Sequence, residues 1–292
     1  MIVPDLTTPK QNNHSCKNPT RTDKRGRRLS TIHASGQEPD RRGANKMTDW
    51  GKVTQDLERL LRLTTYPVAY KRLEKAADLE KIPRVRLLDR TATFCQVPTL
   101  VRRGGWTVGI TRNNLSERCA RINGLALTTD EEISREAAKF ATSWFADEEE
   151  ARKQMAVYPV IPAGEALVLA PLSSGKFEPD VVLIYGNPAQ LMLLMNALQF
   201  KDYERFNFFF IGEGSCADGL AQCYTTDKPS LAVPCFGERR FGGVTDDELV
   251  LAVPPRMMEK AVEGLQALWD RGLRYPIMYF GPECDPSEAL AR

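Results

Sequence analysis

Histidine is nearly missing from this chain: of its 292 residues only His14 and His33 are histidine, and both lie in the first 46. From Met47 onward no Ser-His-Asp or Cys-His arrangement can be built, nor a His-ligated zinc or non-haem iron site, and the side chain best suited to proton transfer near neutrality is gone. Thiolate, carboxylate, Lys, Arg and Tyr are left for site chemistry. No apolar run approaches the roughly 18 to 20 residues that span a bilayer, and no h-region is flanked as a secretory signal requires. The expectation is a cytoplasmic protein without a membrane partner. Residues 1–46 also lack Phe, Trp and Tyr, and carry ten Lys or Arg against four Asp or Glu. Such a segment cannot bury enough apolar surface to offset its ordering entropy, so a disordered basic tail is expected there. A nucleic-acid arm, an organellar transit peptide and upstream sequence included by a wrong start all fit that composition. Met47, followed at once by a capped amphipathic helix, favours the last. The tail's net of +6 leaves the remainder at −4 within a total of +2, so residues 47–292 do not read as a nucleic-acid binder.

Close cysteine pairs are absent as well. Six cysteines follow Met47, at 95, 119, 216, 223, 235 and 284, and none forms C-x-x-C. A structural zinc site normally shows such a pair, and a disulfide framework is unusual in a cytosolic protein of this size. An iron–sulfur cluster needs neither histidine nor close spacing, because single thiolates from distant parts of a chain can ligate it. Buried spectator thiols are the competing reading. Two stretches organise the candidates. FCQVPTLVRRGGWTVGITRNNLSERC, 94–119, carries Cys95 and Cys119; SCADGLAQCYTTDKPSLAVPCFGERRFGG, 215–243, carries Cys216 and Cys235 in corresponding places. Each follows a strand-like run, YPVAYKRL or PDVVLIYGNP. One globular region over 47–292 is expected, built of two similar halves at about 47–127 and 165–272. Cys95, Cys119, Cys216 and Cys235 are the candidate metal ligands, with an iron–sulfur cluster as the candidate cofactor and a small molecule or redox protein as the candidate partner.

The order of elements is that of an α+β protein with a mixed sheet and flanking helices. Trp50, Val53, Leu57, Leu60 and Leu61 recur at helical steps behind Thr48 or Asp49 as the cap. VAYKRL reads as a strand in which Lys71 is a surface lysine before it is a buried cation. Phe94 to Arg103 reads as a short helix, with Cys95 at the end that favours thiolate. WTVGIT is the next strand, with Cys119 in the polar segment beyond it. Residues 128–155 read as a helix broken near Ala146-Asp147, and the acidic run DEEEARK as a solvated helix face rather than a metal box. PDVVLIYGNPAQLMLLMNAL is a strand, a turn at Gly186, an Asn187 cap, Pro188 at the first helical position, and an apolar helix. FNFFFI reads as a buried strand, ELVLAVP as another, and a last helix opens at Pro255.

IGEGSCA, 211–217, fits a loose dinucleotide fingerprint, with Glu238 about 20 residues on. Glu213 beside the pyrophosphate and the short segment before Asp227-Lys228-Pro229 argue against it. A small-anion cradle is the alternative function, made from Gly212, Gly214 and Ser215 with Arg239 and Arg240. Arg102-Arg103 forms a second pair of guanidinium groups near a thiol element.

Taken together, YPVAYKRL, FCQ, the isolated Cys119, PDVVLIYGNPAQ, Cys216, PCFGER and ELVLAVPP resemble the prokaryotic family catalogued as domain of unknown function 169. The resemblance runs from about Leu57 to Leu268 and leaves out the first 46 residues. Cys95, Cys119, Cys216 and Cys235 match the family's cysteine positions, whereas Cys223 and Cys284 do not. It implies a prokaryotic cytosolic protein and carries no reaction with it.

Overall fold

The structure, a computed structural model, describes residues 48–286. The expectation of a tail over 1–46 lies outside them. Helix α1, Trp50–Leu61, starts where the Asp49 carboxylate accepts the Lys52 amide at 3.0 Å. Strand β1, Val68–Leu73, follows, then β2, Arg86–Leu87, and α2, Gln96–Arg102. After β3, Val108–Thr111, comes α3, Glu117–Ile122, so Cys119 lies inside a short helix and not in a polar loop. The acidic stretch forms α4, Asp130–Ala141, and α5, Glu148–Ala156. Asp147 caps the second of these by accepting the Glu150 amide at 2.9 Å. Strands β4, Ala166–Pro171, and β5, Val181–Gly186, lead into α6, Pro188–Leu198, which has Asn187 as its cap and a reciprocal Gln190 contact. A π-helical turn, Ala217–Ala221, runs into α7, Gln222–Thr226. Last come β6, Ser230–Ala232; α8, Phe236–Arg240; β7, Leu249–Val253; and α9, Met258–Asp270.

All seven strands form one mixed sheet in the order β2-β3-β4-β1-β5-β7-β6, antiparallel except for the β2–β3 pair. Its inner part repeats. The central strands β1 and β5 pair antiparallel, with Val68 opposite Leu183 and Tyr70 opposite Val181. Each central strand is followed in the chain by an outer strand, β3 or β6, and then by the strand that fills the gap between, β4 or β7. This arrangement is a pseudo-twofold about the β1–β5 seam. It groups β4 with the strands before it, so the repeat in the sheet spans 68–171 and 181–253.

Side chains alternate between the two faces with the strand period of two. Ala69, Val182, Ile184, Leu251 and Val253 face a layer made by α1, α6 and α9, including Leu57, Leu61, Leu191, Leu194 and Leu265. Tyr70, Val181, Leu183, Tyr185, Val250 and Ala252 face the other way and pack with Phe94, Val97, Val101, Cys119, Ile122, Leu220 and Tyr224. The cysteine elements lie on this second face.

FNFFFI is not a strand. Residues 206–211 have no regular secondary structure, and Phe208, Phe209 and Phe210 are exposed by 37%, 57% and 70%. The short β6 fills the edge position beside β7, so the phenylalanine run has no place in the sheet. The dinucleotide reading of IGEGSCA fails with it, because that fingerprint needs a strand before its glycine turn.

Candidate cysteine site

Cys95 precedes α2, Cys119 lies within α3, Cys216 precedes the π-helical turn and Cys235 precedes α8. In each half of the repeat one cysteine falls between the central and outer strands, and the other between the outer and intermediate strands. A backbone contact repeats as well. The Phe94 amide donates to Cys119 Sγ at 3.3 Å, and the Cys235 amide donates to Ser215 Oγ at 3.2 Å. In both cases the residue before the first cysteine holds the second.

The four thiols lie within range of one another's electrostatic fields. Cys235 acts most strongly on Cys95, with the fields of Cys216 and Cys119 beside it, and Cys216 in turn feels Cys119 and Cys235. A Cβ placed on Gly237 would lie 3.4 Å from Cys95 Sγ and 3.6 Å from Cys235 Sγ, so bare backbone passes over this pair. Cys95, Cys119 and Cys235 are buried, and Cys216 is half-buried. Cys223 packs in the apolar core from α7, and Cys284 belongs to the segment after α9.

The electrostatics divide the thiols. The hydrogen bond from Cys95 pulls Cys235 down to about 4 against the effect of burial, helped by Ser215 and the Glu238 amide. The same hydrogen bond, then burial, pushes Cys95 far up. The direction favours thiol at Cys95 and thiolate at Cys235, the reverse of the helix-end expectation for Cys95. Burial, then Cys119, also raises Cys216. Beneath Cys235, burial and then the thiolate push Glu238 up to about 7, although it accepts Ser215 Oγ at 2.7 Å and Tyr185 OH at 2.9 Å. The cation of the site is Arg118. Burial works against its charge, but Tyr158, Cys216, Cys119 and Glu136 outweigh that and raise its pKa. Its guanidinium lies 4.3 Å over the Phe140 ring, and its Nη1 donates to the Glu213 carbonyl at 3.3 Å.

The residues proposed for an anion are near these thiols but have partners of their own. The Glu213 carboxylate accepts the Phe236 and Gly237 amides at 3.2 and 3.3 Å. Arg239 donates to Thr245 O at 2.6 Å, and Arg240 lies 6.0 Å over the Phe236 ring. Gly212, at φ +99°, and Gly214 serve the turn, which Tyr158 OH pins by donating to Glu213 O at 2.7 Å. Arg102 is buried and holds Glu248 at 2.5 and 3.0 Å. Lys71 donates to the Glu178 carbonyl at 2.9 Å, at the surface. Sequence reasoning passed over Arg118, Glu238 as a partner of Cys235, and Tyr185. Only Arg118 left a signal, as the cation next to Cys119.

Among the described residues no group of three or more His, Cys, Asp or Glu side chains is placed to hold a metal ion, and no helix is long and apolar enough to cross a membrane. An uncharacterised protein of Methanocaldococcus jannaschii is 26% identical over 222 residues, covering 75% of this chain and 95% of that protein. No solved structure matches. The model of domain of unknown function 169, described as uncharacterised ArCR, matches residues 56–264, and the chain belongs to that family.

Proposed function

We propose that this is a redox-associated protein whose Cys95, Cys119, Cys216 and Cys235 hold an iron–sulfur or other thiolate-ligated metallocluster. One observation carries the reading: four cysteines from four separate elements lie on one face of the sheet within one another's electrostatic fields, two from each half of a repeat. A buried spectator thiol has no need of three others beside it. Four thiolates without histidine are the donor set that such clusters take, which supports the reading. Bound there, the cluster would supply one-electron transfer. The chain's own residues set its surroundings. Arg118 offsets thiolate charge, the Phe94 amide orients the Cys119 sulfur, Ser215 Oγ holds the Cys235 backbone, and the burial of Cys95, Cys119 and Cys235 keeps water from them.

Anaerobic purification from iron-replete cells, followed by iron and sulfide analysis and visible absorption, tests this. A brown protein with iron and sulfide is expected; colourless, iron-free protein ends the proposal. The rival reading, a small-anion module on Gly212, Gly214, Ser215, Arg239 and Arg240, predicts a thermal shift with phosphate or carboxylates. Against it stands Glu213, an internal carboxylate that already takes two of the amides an anion would use.

A further inference from the structure

We infer that Cys95 and Cys235 form a reversible disulfide that joins the two halves of the repeat whenever no metal occupies them. Both sulfurs lie against the bare backbone of Gly237, 3.4 and 3.6 Å from the point a Cβ there would occupy, which makes them neighbours. The elements that carry them cannot drift apart. Thr99 Oγ1 of α2 donates to the Gly242 carbonyl beyond α8 at 2.5 Å, and a Cβ on Gly242 would come within 2.5 Å of the Cys95 carbonyl. The other thiols are held elsewhere: Cys119 accepts the Phe94 amide, and Cys216 lies in the field of Arg118. At 9% and 8% exposure the pair admits only a small oxidant, and hydrogen peroxide is of that class.

The chemistry balances in two steps. The Cys235 thiolate attacks one peroxide oxygen, the O–O bond breaks, and hydroxide leaves, giving sulfenic acid at Cys235. The Cys95 thiol attacks that sulfur and the S–O bond breaks. The leaving hydroxide takes the Cys95 proton as water. The first hydroxide gains a solvent proton, so two thiols lose two electrons and peroxide becomes two waters. A thiol reductant reverses the linkage.

The full chain, purified without metal, is treated with hydrogen peroxide, alkylated, digested and analysed by mass spectrometry with and without reductant. The expected product is a linked peptide pair carrying Cys95 and Cys235, separated by reductant, with Cys119 and Cys216 still alkylated. In Cys95→Ser, dimedone should label Cys235, because its sulfenic acid has lost its partner. Linkage through Cys119 or Cys216, or full alkylation of both residues after peroxide, overturns the inference. If Cys95→Ser does not fold, the wild-type linkage decides alone. The disulfide is independent of the cluster reading: iron-free protein can still show it, and a cluster-bearing protein can lack it.

Discussion

At Arg118 a half-buried guanidinium lies over Phe140 in the field of Cys119 and Cys216, with Glu136 and Glu213 at 3.6 and 3.9 Å. Its role beside thiolates is charge compensation, so Arg118→Leu should lose most of the bound iron while Arg118→Lys keeps part of it. Iron per chain in the two variants checks this, and equal iron in both would remove Arg118 from the site. Gly237→Ala asks a related question of space. Its Cβ meets Cys95 Sγ and Cys235 Sγ at ordinary contact distance, so stability should change by under about 1 kcal/mol while iron content falls. A parallel fall in unfolding midpoint would assign the loss to the fold instead. Away from the thiols, burial opposes the charge of Glu248, but Arg102 and the Thr245 amide prevail and hold it at about 2. A depressed carboxylate contributes stability that is complete above the ordinary Glu value of about 4.3 and is lost as pH falls toward 2. Discounted for solvent contact, the effect is on the order of 1 kcal/mol. Urea midpoints between pH 6 and 2 should show this loss in the wild type and a flatter profile in Glu248→Gln. At neutral pH the variant should also be weaker by about 3 kcal/mol, because Arg102 loses its partner.

Elements differed in how much the sequence disclosed of them. The α1 periodicity behind Asp49 and the β5–α6 unit with Asn187 and Pro188 were legible because local chemistry alone fixes caps and turns. The phenylalanine run at 206–210 was not, since a strand also needs a neighbour, and only the assembled sheet shows that β6 fills the place beside β7. Cys119 was placed in a loop because a six-residue helix has too few turns to show a period. Among the candidate residues the repeated placement of the four cysteines is visible in the sequence, while the pairing of Glu238 with Tyr185 is not, because strand pairing and a distant helix bring them together. Helix packing on the opposite face gives its own test. A Cβ on Gly264 of α9 would lie 2.2 Å from the Ala197 carbonyl of α6, so Gly264→Ala should destabilise by about 1–3 kcal/mol. Iron per folded chain should stay the same; a drop would mean that this face couples to the thiols.

Across the whole molecule the central claim is that four cysteines act as one set because a repeated sheet brings two from each half to one place. Ligands of one centre are coupled, so removing any of them should cost most of the metal, whereas independent core thiols lose packing terms that add. Cys223, in the core, and Cys284, beyond α9, are internal controls. The decisive measurement is iron and sulfide per chain for the six single Cys→Ser variants, purified anaerobically beside the wild type. The account predicts near-complete loss at Cys95, Cys119, Cys216 and Cys235, with little change at Cys223 and Cys284. Equal metal content in all six, with only small additive shifts in unfolding midpoint, would contradict it.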